Sequence, residues 1–461
     1  MAKTGTENGS GNIDGLSPIT EQQKTMKPMD YVMTFWSSGI IIQIMVIGLY
    51  LMPPSGGLNF QQVVMVGIIS ALICTSCIAI NGDAGMRYGI PFIIQARSGF
   101  GIQGAKIVAL IRSIPAICWN GIGTWIGAQS IVVVTDQLFG ISNIWVSFIA
   151  ILIIESWLAY KGVDSIKSFN SIMSVVIFCM LFYFFYIVFS TGKVDISSAM
   201  KAEGSWSWPF VAGIFGAVAN WTTVMLNSSD LTRHVKVNGG SGAISRVNAF
   251  MNSFGIIPPW MFMVLSGVII AIATGADDPI AGLVTLSPNP AFGIILLVFI
   301  ILAQVTSNLS LNILPPALAF QDIFKIDWKK GVFVVGILSV AVCPWILYSS
   351  NYFFVFQNVY SSFLGPALGV MVADYYVMRK RKLNLELLYD VKGVYTYWNG
   401  FSCAGMIALI ISAAVSFFFL SYAWAVGFPL AFVLYIILKK CGLERRYEEQ
   451  EREREREREI G

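Results

Sequence analysis

Apolar residues in this chain come in blocks long enough to cross a lipid bilayer, such as Ile144–Leu158, Val175–Phe189 and Ile294–Ala303. A spanning helix takes ~20 predominantly apolar residues. Over the 461 residues, 56% are hydrophobic and 12% charged, where an ordinary soluble domain carries ~25% charged residues. A soluble fold could not bury that much apolar surface. A soluble enzyme and a nucleic-acid binder are therefore excluded, and the lipid bilayer becomes the first partner. One histidine, His234, leaves no His-rich metal site and no catalytic triad with a histidine to spare. Cys74 and Cys77 have metal-like spacing but fall inside an apolar block, where small buried thiols are the simpler reading. The first 28 residues are polar and lack an apolar signal core, so the first span itself directs insertion.

Twelve helices are expected, over 30–52, 61–80, 105–134, 143–160, 169–190, 208–227, 248–273, 289–314, 331–349, 352–378, 402–421 and 423–440. The fold class is thus an all-α polytopic membrane protein. Its parts are a polar N-terminal tail (1–28), a transporter domain (29–440) and a charged C-terminal tail (441–461). Basic residues in short loops mark the cytoplasmic side. With the N-terminus inside, the outer loops hold only Lys193 and Lys201, while Arg87, Arg97, Lys161, Lys167, Arg233, Lys236, Arg246 and Arg379–Lys382 lie inside. Both termini are then expected in the cytoplasm, with the protein in the plasma membrane. The Glu-Arg alternation from Glu451 to Glu459 reads as a solvated, salt-bridged helix or tail.

Function in a membrane protein concentrates where the apolar pattern breaks. The first span contains Trp36-Ser-Ser-Gly-Ile-Ile-Ile-Gln43, small residues and then a mid-span amide. The sixth contains Gly213, Gly216, Asn220, Trp221, Thr222 and Thr223. Interrupted helices five apart point to an inverted-repeat transporter with a site near the midplane. The eighth span carries Gln304, Thr306, Ser307, Asn308, Ser310 and Asn312, a face too polar for lipid. Thr306 and Ser307, with carbonyls from an opened first helix, would form an all-oxygen cage suited to a hard cation. Trp119 and Trp221 sit deep in the third and sixth spans. They read either as core packing or as a stacking slot for a flat ring, with Gln43 and Asn312 supplying amides that both donate and accept.

Several longer stretches resemble one family, the nucleobase:cation symporter-1 transporters. They are Asn81-Gly-Asp-Ala-Gly-Met-Arg-Tyr-Gly-Ile-Pro-Phe92 with Ala96–Ala105, Leu226-Asn-Ser-Ser-Asp-Leu-Thr-Arg233, Gly365–Tyr375 and Tyr397-Trp-Asn-Gly400. The resemblance implies a LeuT-type fold, five plus five helices in inverted repeat followed by two more. It also implies import of nucleobases or cyclic ureides, many with sodium or protons. In hydantoin permeases of the family the ring lies between two tryptophans, matched here by Trp119 and Trp221, and is completed by residues matched by Gln43 and Asn312. The sodium ligands there are matched by the carbonyls of Gly39, Ile42 and Ala303 and the hydroxyls of Thr306 and Ser307. One position departs. Where those permeases have a substrate-binding Gln one turn beyond the first Trp, this chain has Gly123, as cytosine permeases do. Asn120 is adjacent to Trp119 but points about 100° away. A missing hydrogen bond and a roomier pocket are expected.

Arg97, Asp230, Arg233 and Asp374 read as ion pairs and helix caps at the inner face, Glu155 as a protonated or paired carboxyl, and Pro315-Pro316 as the end of the eighth helix. The expected activity is sodium-coupled import of a small heterocyclic substrate by alternating access, with no covalent chemistry, no enzyme activity and no cofactor beyond Na+. A proton-coupled relative is the near alternative. A passive channel lacks its continuous polar stripe or charged ring, and a membrane enzyme lacks a nucleophile–base pair or metal ligands at one depth.

Overall fold

A computed structural model of the chain describes residues 16–161, 206–350, 352–390, 392–447 and 449–450, with 179, 182–186, 188–190, 192, 194, 196–201 and 203–204 between them. The expected fifth span, 169–190, lies largely outside the described residues. Those described form helices throughout, with two isolated bridges, Met26 to Val235 and Trp398 to Phe401. The principal helices are α1 (Pro28–Gly39), α2 (Ile42–Leu51), α3 (Phe60–Tyr88), α4 (Arg97–Phe139), α5 (Ile144–Tyr160), α6 (Trp208–Leu226), α7 (Ser241–Thr274), α8 (Pro290–Ser307), α9 (Leu314–Phe324), α10 (Trp328–Ala341), α11 (Phe353–Val372), α12 (Cys403–Phe418) and α13 (Ala423–Lys440). Among the described residues, six helices are long and apolar enough to cross a membrane, or seven if the bent pair α1 and α2 counts as one span.

The helices start where the sequence supplies acceptors for their first N–H groups. Asn59 and Gln62 exchange a reciprocal pair of bonds at the start of α3, and Asn143, Asn289 and Asp327 cap α5, α8 and α10. Outward faces remain apolar. Ile153 on α5 is 62% exposed, and Leu72 on α3 is 54% exposed. Such faces suit lipid.

The helices sort into two bodies. α1, α2 and α3 pack on α7, and α6 packs on α3, while α4 packs with α5, α8, α9 and α10. The second body has its own core cluster, including Ile117, Phe148, Ile151, Val305, Leu309, Phe320 and Val335. A third set, α11, α12 and α13, packs on itself and on α6.

Two expectations change. Gly213 and Gly216 do not interrupt α6; they admit close neighbours instead. A Cβ at Gly216 would meet Phe354 at 3.2 Å, and one at Gly213 would meet Leu58 at 3.1 Å. The helix stops at Asn227 and resumes as Ser229–Thr232. Pro315-Pro316 does not end the eighth span either. A π-turn over Asn308–Ile313 precedes α9 and places both prolines in its first turn, where a helix has N–H groups to spare. The stretch 16–27 is tied to the helices: Ile19 N–H donates to Gly89 O and Met26 N–H to His234 O.

The family-like loop after α3 has a packing explanation. Asn81 Nδ2 donates to the carbonyls of Met225 and Leu226, the last two of α6. Gly85 lets the turn at Ser229 approach, since a Cβ there would stand 2.7 Å from the Ser229 Cα. Asp83 collects Arg87, Arg381 and the Tyr375 hydroxyl. Asp374 pairs with Arg379, while Asp230 caps the short helix at Phe92. Arg97 donates to the Leu388 carbonyl.

The contact of α2 with α7 is backbone to backbone. A Cβ at Gly48 would stand 2.0 Å from Val264 O, and one at Gly267 would stand 1.9 Å from Met45 O. Gly48→Val or Gly267→Val is expected to abolish the monodisperse peak of detergent-purified protein on size exclusion. Gly57→Ala, into open space, is expected to leave it intact.

Candidate functional site

The first span opens in its middle. α1 ends at Gly39, α2 begins at Ile42, and the two are bent by 56°. A helix end leaves its last carbonyls and the next helix's first N–H groups without intrahelical partners. Inside a membrane protein such groups persist only where they line a cavity or are buried in protein. Here both apply. One side of the break faces a cavity lined by Ser38, Ile41, Gln43, Ile44, Trp119, Asn220, Trp221, Thr223, Val224, Ser307, Leu311 and Asn312. The other faces an apolar pocket bounded by Ile40, Ile42, Met263, Phe299, Ala303 and Gln304.

The first cavity lies between the two bodies. It brings together Gln43, Trp119, Trp221 and Asn312 from four separate spans. Trp119 is held edge-on by Phe353 and Phe356, and its indole N–H donates to Tyr360 at 3.2 Å. Tyr360 passes its own hydrogen to Ala219 O on α6. Trp221 stacks on Phe35 at 5.7 Å and meets Trp260 edge-on. Both indoles are therefore fixed before anything enters.

Among the described residues, four polar atoms on the cavity wall have no hydrogen-bond partner: Ser38 Oγ, Gln43 Oε1, Asn220 Nδ2 and Trp221 Nε1. Buried polar groups are nearly always paired, and each unpaired one costs about 1–3 kcal/mol. Gln43 spends its amide nitrogen on Gln304 Oε1 at 2.9 Å, so its carbonyl oxygen is the end left for a ligand. Two hydroxyls, Thr223 and Ser307, complete the wall.

Asn120 and Gly123, also expected at the site, lie outside this lining. Asn120 donates to Ser339 Oγ at 2.9 Å, behind Trp119. The space beside Gly123 is filled by Asn308, whose Oδ1 would stand 2.6 Å from a Cβ there. The expected extra room is taken by an amide from the π-turn.

Of the residues matched to cation ligands, Gly39 is the last residue of α1 and Ile42 the first of α2. Facing them, α8 carries Ala303, Thr306 and Ser307, all buried. Thr306 gives its hydrogen to Ala303 O at 2.9 Å, which leaves the lone pairs of Oγ1 for another partner. The negative end of the α1 dipole points into the break, the polarity a cation needs. Oxygen donors of this kind suit a hard cation such as Na+. Sequence reasoning did not assign Ser38, Asn220, Thr223, Gln304 or Tyr360; Ser38, Asn220 and Gln304 were visible as polar breaks in apolar spans.

A wider cavity of about 550 Å³ lies between the far end of α4 (Trp125, Gln129, Val132, Val133) and the short helix Pro279–Leu286.

Known proteins resemble this chain along nearly its whole length. A model of permeases for cytosine/purines, uracil, thiamine and allantoin matches residues 18–437. The chain is 26% identical to the allantoin permease of Bacillus subtilis (strain 168), over 93% of both chains. It is 26% identical to the hydantoin permease of Microbacterium maritypicum, over 82% of this chain and 79% of that one. A nucleobase-cation-symport-1 family transporter, solved closed with bromovinylhydantoin bound, superposes with a TM-score of 0.84 at 23% identity, covering 95% of this chain and 99% of that one. A Na+-coupled sialic acid symporter shares the fold at a TM-score of 0.64, 13% identity and 91% coverage of both. The chain has the LeuT-type fold and belongs to the nucleobase:cation symporter-1 family of membrane permeases.

Proposed function

We propose that this permease imports a nucleobase or a related cyclic amide or ureide in symport with Na+. The observation that carries the reading is the set of four unpartnered polar atoms on a cavity wall that also holds two immobilised indoles. A flat ring would stack between Trp119 and Trp221. Its alternating N–H and C=O edge would meet the Gln43 carbonyl, the Asn220 amide and Asn312. Base–aromatic stacking is worth about 1–3 kcal/mol per ring, and pairing the orphaned donors and acceptors adds to it. The allantoin, hydantoin and purine-uracil permeases among the relatives are of this chemical class.

The cation would be held by the carbonyls of Gly39, Ile42 and Ala303 and the hydroxyls of Thr306 and Ser307. It would tie the broken span of the first body to α8 of the second. Substrate and cation would then favour the same arrangement of the two bodies, and linkage makes each bind tighter in the presence of the other. Rocking of one body against the other would expose the site alternately to the two sides. The loop charges favour a plasma-membrane protein with both termini in the cytoplasm.

Uptake into proteoliposomes of labelled uracil, cytosine, hypoxanthine, allantoin and hydantoin tests the reading. One of them is expected to accumulate under an inward Na+ gradient and not when choline replaces Na+; uptake of none would sink it. Trp119→Ala and Trp221→Ala are each expected to raise the KM for that compound about 10- to 100-fold, from the loss of stacking. The double variant Thr306→Ala/Ser307→Ala is expected to abolish Na+ stimulation while a residual Na+-independent component survives. Unchanged stimulation would remove the cation from this position.

A further inference from the structure

Beyond the cavity wall, a chain of side chains runs from Asn312 into the second body and ends on a carboxyl. Asn312 Nδ2 donates to Asn308 Oδ1 at 3.0 Å. Asn308 Nδ2 faces Glu155 Oε1 at 2.9 Å and the backbone carbonyl of Asn120 at 3.1 Å. A backbone carbonyl only accepts, so the orientation of the Asn308 amide is fixed. The direction of the Asn312 bond follows from it. Asn312 is left with its carbonyl oxygen and one N–H for the cavity.

The far end of the chain can be settled by counting hydrogens. The Thr124 hydroxyl lies 2.6 Å from Glu155 Oε2 and 2.8 Å from Asn120 O. It has one hydrogen for two oxygens. If Glu155 is a carboxylic acid, Oε2–H donates to Thr124, Thr124 donates to Asn120 O, and every contact is satisfied. If it is a carboxylate, two oxygen atoms approach without a hydrogen between them. Glu155 and Asn308 are both fully buried. Among the described residues, the contacts of Glu155 from α4 and the π-turn are Thr124 and Asn308, neither ionisable. On the packed helices α4 and α10, Asp136, Lys329 and Lys330 lie exposed. Arg112 is twelve residues from Thr124, about 18 Å along the helix, and is engaged with Asn227 and Leu311 O. An isolated buried carboxylate is far costlier than a hydrogen-bonded acid.

We infer that Glu155, as a neutral carboxylic acid, is a positioning residue for substrate recognition. Through Asn308 it holds the Asn312 amide in the one orientation that the cavity presents to its ligand. Gly123 belongs to the same unit, because only a residue without a Cβ leaves room for Asn308. The inference rests on the cavity between Trp119 and Trp221 being the substrate site.

The test measures equilibrium binding of allantoin, uracil and hydantoin to the purified full-length protein, for wild type and for E155Q, E155L, G123A and W221A, between pH 5.5 and 8. Gln can donate to Thr124 and accept from Asn308, so E155Q is expected to bind within threefold of wild type with the same preference order. E155L and G123A are expected to weaken binding tenfold or more and to change the ratio of affinities among the three compounds, which a mere loss of folded protein would not do. An unchanged ratio and affinity in E155L, with W221A impaired, would overturn this inference alone. Normal binding in W221A would overturn the site itself. Infrared difference spectra of wild type against E155Q read the carboxyl without any ligand. A carboxylic-acid C=O band at neutral pH is expected, and a carboxylate band in its place would overturn the inference.

Discussion

Everything at the site depends on one interruption, the two residues between Gly39 and Ile42 where the first span is not helical. Lipid supplies no partners for an open backbone, so the break survives only because protein surrounds it. α7 presses on α1 and α2 from one side, with Gly48 and Gly267 permitting backbone contact. The polar face of α8 stands on the other. The end of α1 thereby packs on the helix that carries Thr306 and Ser307, and the start of α2 delivers Gln43 to the cavity.

The π-turn after α8 is the second device. It widens the helix over Asn308–Ile313, keeps Asn312 in contact with Asn308, and lets the chain continue through two prolines. In a regular α-helix, residues four apart are neighbours on one face. Here that face bridges the cavity and the interior of the second body, with Asn312 at one end and Glu155 at the other.

Much of this was legible in the sequence because bilayers leave few options. The apolar blocks set the class, and the polar breaks at Ser37–Gln43, Asn220–Thr223 and Gln304–Asn312 marked the site-bearing spans. Periodicity carried less information about how a break is used. Gly213 and Gly216 read as an interruption but serve close packing, since glycine allows unwinding and close approach alike. Pro315-Pro316 read as a stop because the π-turn that accommodates them has no sequence signature. Gly123 read as empty space because its occupant, Asn308, comes from a helix nearly two hundred residues away. Contacts of that range are properties of the assembled bodies and not of any one segment.

The separate core of the second body has a consequence for water. Sliding helices within either core would expose apolar surface at ~25 cal/mol per Å², so each body keeps its shape. The wall of the first cavity between them is different in kind, carrying hydroxyls, amides and an indole N–H among its apolar side chains, groups that water can satisfy as well as a ligand can. Wetting this cavity satisfies polar groups without exposing the second body's own core cluster. Water in the cavity would therefore lower the cost of opening it, and a ligand that replaced this water with its own polar edge would favour closure.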